Sequence, residues 1–404
     1  MSDAAEPTTP SGSSGPRGRR AKVGLVSLGV GLAAAGVGAA LGVAAERLAV
    51  GRPLLPPFGL PPGDGEDYGG LHTPGRAVLA DDAVRLHVEV EDIGTPGRND
   101  PTVVFSHGYA LTMDSWHFQR QQLRREPGRS LRLVFWDQRG HGRSASGRPG
   151  SSTIDQLGSD LSEVIDAVAP SGPLILIGHS MGGMTVMSLA HRRPELFAER
   201  VRAVGLVSTS AGGLDDVDFG ITGLGRLVQR FAPSTVKALT RTPRLVERGR
   251  RIVSDLETVL VRRYSYASPV SNALVRFTAD MIASTRLEVI SDFLPTFSTH
   301  DKRAALSALA AVPTLVIVGD HDLLTPADHS VEIAELLPAA QHVVVPDGGH
   351  LLMLEHPEVV NAHLLHLIDA AVDPDGARRV RLPSPVRRTV ASLRRRRPGR
   401  GPSA

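Results

Sequence analysis

The chain has no cysteine in 404 residues. Disulfides, a thiol nucleophile and cysteine-bound metal are therefore excluded. Lysine is nearly missing too: only three of the 45 basic residues are lysine, which reads as a coding bias rather than a function. Acidic side chains are absent from residues 376–404, where ten arginines stand alone. Residues 1–52 carry six basic and three acidic side chains, while residues 53–375 hold 29 basic against 39 acidic ones. The formal charge of +3 thus hides an acidic body with basic ends, which excludes a nucleic-acid-binding domain and predicts no specific nucleic-acid partner. A polybasic tail alone would still hold any polyanion without specificity.

Residues 1–22, rich in Ser, Pro, Gly and Arg, are expected to be disordered. Residues 23–45 carry no charge and are long enough to span a bilayer as a helix. Six glycines and seven alanines make that run weakly hydrophobic, and the spacing of Gly38 and Gly42 suits close helix–helix contact. Arg17, Arg19, Arg20 and Lys22 precede it, which places the N-terminus in the cytoplasm and the main domain outside. A cleaved export signal and a segment that never inserts fit the same layout. Residues 46–75 read as a Pro/Gly linker, residues 76–372 as the folded domain, and residues 373–404 as a disordered Arg-rich tail.

Within the domain, "VRLHVEVED" alternates strictly, with Val84, Leu86, Val88 and Val90 on one face and polar residues on the other. That pattern predicts a half-exposed antiparallel strand. Six further apolar runs follow, most of them separated by helix-length segments at 114–125, 155–169, 181–193, 326–337 and 357–371. Alternation of this kind predicts an α/β fold with a mostly parallel sheet covered on both faces. Only the interval 213–298 breaks the rhythm, and it reads as a helical cap over the carboxyl ends of the strands.

Residues 174–183 read "LILIGHSMGG", an apolar strand run followed by Ser180 between Gly178 and Gly182. The next segment has helical patterning and stops at Pro194. A turn from strand to helix this sharp strains its central residue and needs small residues two positions away on either side. It lifts a serine hydroxyl above the end of a sheet. Serine is a poor nucleophile at neutral pH, so it needs a base, and the base needs a carboxylate to fix its tautomer. "GDHDLLTP" supplies Asp320 and Asp322 after one strand, and "VVVPDGGH" supplies Asp347 and His350 after the last. Two backbone N–H groups are also needed where charge develops on the carbonyl oxygen. Met181, after the serine, and Tyr109, after His107-Gly108 in "SHGYALT", stand where such donors are expected.

"SHGY", "DQRGHGRS", "GHSMGG", "GDHDLLTP" and "GGHLLMLEHP" together resemble, in content and order, the motifs of the serine-nucleophile α/β-hydrolase superfamily. The likeness covers residues 76–372 and is greatest to esterases, monoacylglycerol-type lipases and cofactor-free haloperoxidase or perhydrolase relatives. It implies an eight-stranded sheet, a Ser180–Asp322–His350 triad with Asp322 rather than Asp320 as the acid, and backbone donors at Tyr109 and Met181. It also implies supporting roles for His107, Gly108, Gly178 and Gly182, a structural role for residues 137–144, and no cofactor. His107, His179 and His321 are expected to orient loops and His141 to bond within its own, with no metal site among them.

The expected substrate is a small, lipophilic acyl ester. The same triad serves perhydrolases and C–C bond hydrolases, and a non-catalytic, membrane-tethered binding protein could use the same fold. Residues 226–263 hold ten basic and three acidic side chains. They suit either a solvated cap surface or, together with residues 23–45 and the tail, contact with an anionic membrane surface.

Overall fold

The computed structural model describes residues 65–126, 128–214 and 261–372. Its eight strands are β1 (Gly75–Leu79), β2 (Arg85–Ile93), β3 (Thr102–Ser106), β4 (Leu131–Trp136), β5 (Leu174–His179), β6 (Val201–Val207), β7 (Thr314–Gly319) and β8 (Gln341–Val345). They form one sheet in the order β1-β2-β4-β3-β5-β6-β7-β8. Strand β2 is antiparallel to both of its neighbours, and every other pair is parallel. Around the sheet lie helices α1 (His117–Arg125), α2 (Ile154–Val168), α3 (Met181–Arg192), α4 (Pro194–Glu199), α5 (Asn272–Ser284), α6 (Leu287–Ser298), α7 (Ala327–Leu336), α8 (Leu352–Glu355) and α9 (Pro357–Val372). This is the α/β architecture that the alternation of apolar runs predicts.

Strands β3, β5 and β7 are buried at every position, as a sheet covered on both faces requires. Their alternate residues divide between two cores. Val103, Phe105, Ile175, Ile177, Leu315 and Ile317 belong to one, with Leu123 of α1 and Leu364 and Ile368 of α9. Val104, Leu174, Leu176 and Val316 belong to the other, with Leu161 and Ile165 of α2 and Met187 of α3. Fully burying each such side chain contributes about 1.5–3 kcal/mol, so both helical layers are held to the sheet along its length.

Three features differ from the sequence reading. Strand β1 has a single buried position, Val78, so no apolar period marks it in the sequence. The stretch expected to be linker through residue 75 does more than connect. Glu66 bonds the His117 ring and Gln121, and Tyr68 stacks on Phe277 at 5.0 Å. The polar face of β2 is not exposed throughout either: Arg85 is, but Glu89 is fully buried. Its carboxylate accepts from the Thr73 N–H at 2.9 Å and pairs with Arg120 at 2.8 Å, Arg143 at 2.9 Å and His72 at 2.9 Å. The reason is tertiary: α1 and residues 71–73 cover that face with cations and donors, so alternation of polarity there does not mean alternation of exposure.

Between β6 and β7 the described part of the insertion carries α5, α6 and a 3-10 helix at Ala304–Leu309. The run 23–45, the basic stretch up to residue 260 and the tail 373–404 lie outside the described residues. Among the described residues no helix is long and apolar enough to cross a membrane.

Candidate active site

The carboxyl ends of β5, β7 and β8 bring Ser180, Asp322 and His350 to one edge of the sheet. Ser180 sits between β5 and α3 with φ 52° and ψ −118°, a conformation that costs a non-glycine residue about 1–3 kcal/mol. The turn leaves no room for side chains around it. A Cβ on Gly178 would collide with the Gly182 carbonyl, and one on Gly182 with the Ser106 carbonyl. Both obstacles are backbone and cannot swing aside. We therefore expect Gly182→Ala to lower stability by about 1–3 kcal/mol and to slow any chemistry at Ser180. Thermal unfolding checks this, and an unchanged melting temperature would contradict the close contact.

Ser180 occupies the N-cap position of α3, where a serine oxygen normally accepts from the helix's first N–H groups. Here it makes no such bond. Its Oγ lies 3.0 Å from His350 Nε2 instead. His350 Nδ1 lies 3.0 and 2.9 Å from the two oxygens of Asp322. An ionised carboxylate only accepts, so Nδ1 carries the proton and Nε2 is free to accept from the serine hydroxyl. Asp322 and His350 are 4% and 5% exposed, so water does not compete for these bonds. Burial pushes the Asp322 carboxyl up, but His350 and the Thr325 bonds outweigh it, and the net shift is below the ordinary value. Asp322 thus stays an anion at neutral pH.

Thr325 donates twice to Asp322, from its N–H and from its hydroxyl, each at 2.9 Å, and the Leu324 N–H adds a third bond at 2.9 Å. The sequence reading gave Thr325 no role, although the "TP" step that opens α7 marks the turn that carries it. Asp320 pairs with His321 at 2.6 Å.

The remaining predicted positions lie around this relay. His179 donates from Nε2 to the His350 carbonyl at 3.0 Å, and burial drives its own ionisation down to about 3. Gly108 lies against that ring; a Cβ there would be 2.6 Å from His179 Nδ1. His107 is clamped by Gln138, whose N–H donates to its Nε2 at 2.9 Å and whose amide donates to its carbonyl at 2.6 Å. Thr185 holds the other end of that amide at 2.7 Å. The motif at 137–144 implies a structural role for Gln138, but not this clamp on His107. Tyr109 and Met181 flank the serine's side of the site, and among the described residues neither backbone N–H has an acceptor in the protein. For Met181 this is the ordinary state of a first helical residue.

Residues 137–144 form a supporting loop. The Asp137 carboxylate accepts from the Met113 and Arg143 N–H groups at 2.9 and 2.8 Å. Arg139 is fully buried between Asp82 and Asp160. The clustered carboxylates Asp81, Asp82 and Asp160 are thereby engaged by Arg139, Gln156 and Ser159. His141 Nδ1 bonds the Arg139 carbonyl at 2.9 Å.

A strand-to-helix elbow carrying this relay at the carboxyl edge of a mostly parallel sheet defines a hydrolase-type protein. The alpha/beta hydrolase fold model matches residues 101–357, and the chain belongs to that family. An acetyltransferase component of an acetoin cleaving system from Pseudomonas putida is 25% identical over 279 residues, 67% of this chain; the chain spans only 64% of that relative's length. An sn-1-specific diacylglycerol lipase of Mus musculus is 25% identical over 261 residues, covering 64% of this chain and 78% of that one. Among solved structures, a thermophilic esterase from Thermogutta terrifontis superposes with a TM-score of 0.58 at 23% identity, covering 74% of this chain and 99% of that chain. At that identity the likeness speaks for the fold.

Proposed function

We propose that the chain hydrolyses carboxylic esters with lipophilic acyl groups, through an acyl-enzyme on Ser180. The observation that carries this reading is the unbroken relay from Ser180 Oγ through His350 to Asp322, set on a strained elbow. Ser180 attacks the ester carbonyl as its proton passes to His350 Nε2. The imidazolium that forms is steadied by Asp322. Negative charge on the former carbonyl oxygen is met by the unclaimed N–H groups of Tyr109 and Met181. Collapse expels the alkoxide, which takes the proton from His350. Water, deprotonated by the same imidazole, then attacks the acyl-enzyme and releases the acid.

Met181 and Tyr109 also lead into an apolar cluster. Ile154, Leu157, Met184, Val289 and Phe293 are its buried members besides Met181, with Tyr109, Leu214 and Phe297 packed beside them. An acyl group lying beside Tyr109 and Met181 would meet these apolar side chains, which supports a lipophilic substrate.

The test uses the full chain with a fluorophosphonate probe and p-nitrophenyl esters from C2 to C16. Labelling of Ser180 with hydrolysis of at least one ester supports the reading, and the preferred length measures the acyl site. A chain that neither labels nor hydrolyses any ester in the series would favour a binding protein on the same fold.

A further inference from the structure

The turn that offers the Tyr109 N–H is strained. Ala110, the next residue, has φ 57°, and the turn's own closing bond, from the Leu111 N–H to the Gly108 carbonyl, is long at 3.3 Å. A non-glycine residue keeps such geometry only where its surroundings over-determine it. The Gln138 clamp on His107 secures one side of the turn. On the other side is the Tyr109 side chain. Its hydroxyl donates to the Ile290 carbonyl of α6 at 2.6 Å, and its ring meets Phe297 edge-on at 5.1 Å. Burial pushes the phenol's ionisation up, so the group stays a neutral donor.

Helix α6 is a firm anchor for that bond. Its Asp292 carboxylate accepts from the Gly150 N–H, its Thr296 hydroxyl from the Ile154 N–H at 3.1 Å, and Phe293 is fully buried. Pro295 lies inside the helix. It removes the N–H that would serve the Ser291 carbonyl, and the Tyr109 hydroxyl bonds the adjoining carbonyl, that of Ile290.

We propose that Tyr109 is a positioning residue: through its hydroxyl bond to Ile290, α6 fixes where the Tyr109 N–H points, so the insertion and the oxyanion donor are set together. This rests on the esterase reading given above. The hydroxyl touches no reacting atom. It acts by holding a backbone donor in the place where the oxyanion forms, and a displacement of α6 withdraws that donor.

Tyr109→Phe keeps the ring and the N–H and removes only the strut. Asp369→Ala breaks the ion pair with Arg129 ahead of the amino end of β4, away from α6 and the carboxyl edge, and serves as the structural control. Both are made in the full chain, and kcat, KM and melting temperature are measured with p-nitrophenyl acetate and butyrate. Deleting an oxyanion donor outright costs about 10²–10³ in kcat. A misplaced donor is expected to cost less, about 10–30-fold, with KM held within about twofold. Asp369→Ala should lower the melting temperature comparably and leave kcat within about twofold. If Tyr109→Phe leaves kcat unchanged, or if both variants lose activity in proportion to stability, the strut has no positioning role. Wild-type hydrolysis and fluorophosphonate labelling are run alongside. An inert wild type overturns the esterase reading and the strut with it, whereas an active wild type beside an unaffected Tyr109→Phe overturns the strut alone.

Discussion

Ser180→Ala is expected to lower kcat on the best ester by about 10⁵–10⁶-fold while the protein stays folded. Triad nucleophiles removed singly cost about this much, because the remaining members cannot act without one another. In free energy the loss is about 7–8 kcal/mol, at 1.36 kcal/mol for each tenfold. The fold should not follow, because the Ser180 side chain makes no helix-capping bond and its hydroxyl serves His350 alone. Asp322→Asn should cost about 10⁴-fold, since an amide in place of the carboxylate favours the wrong imidazole tautomer. Steady-state kinetics and circular dichroism on both variants check this. Retention of more than about a hundredth of the activity in Ser180→Ala would place the chemistry elsewhere.

The second large effect concerns stability. Glu89→Ala should destabilise the protein by about 2–3 kcal/mol, below the cost of fully orphaning a buried charge because part of the pairing survives. Arg120, which is 4% exposed and lies over the Phe135 ring at 4.7 Å, would keep only Glu91, at 3.0 Å, as its counter-ion. Urea denaturation measures the shift, and a loss below about 1 kcal/mol would mean that Glu91 and water satisfy Arg120 without Glu89. The same carboxylate makes stability depend on pH. Burial pushes Glu89 up, but the Thr73 N–H, Arg120 and His72 outweigh it and bring it down from 4.5 to about 2. Between those values the unfolded chain holds the proton and the folded chain does not, so folding is favoured more as pH rises. The contribution is complete above 4.5 and is lost as pH falls toward 2. Glu89→Gln should flatten the pH dependence of stability within that window and nowhere above it.

Much of the site is legible in local sequence because its parts are local. The elbow is a strand, a single residue and a helix, and its glycines are demanded by backbone contacts only a few residues away in sequence, or at Ser106. Asp322 and His350 each follow an apolar run by a few residues, so strand recognition alone brings them to the edge. The parts that escape are those that long-range packing decides. Glu89 sits on a face whose cover comes from α1 and residues 71–73, and nothing in "VRLHVEVED" announces that cover. Strand β1 is held by its register with β2 rather than by an apolar period. Thr325 and Gln138 act through hydrogen bonds whose partners only the fold supplies. The same holds for the Tyr109 hydroxyl, whose acceptor is 181 residues away in sequence.

The reach of the relay bears on how the protein becomes active. Ser180 and His350 are 170 residues apart, and the base stands beyond the final strand of the sheet. A chain still emerging from synthesis can complete the elbow and its helix long before β8 has docked. Contacts of such long separation form late, after the entropy of the intervening loop has been overcome. Until then the serine is an ordinary alcohol, inert toward esters and toward phosphonate probes. Under the proposed mechanism, reactivity at Ser180 is therefore a clock for folding: the moment at which it begins to label marks the arrival of the last strand.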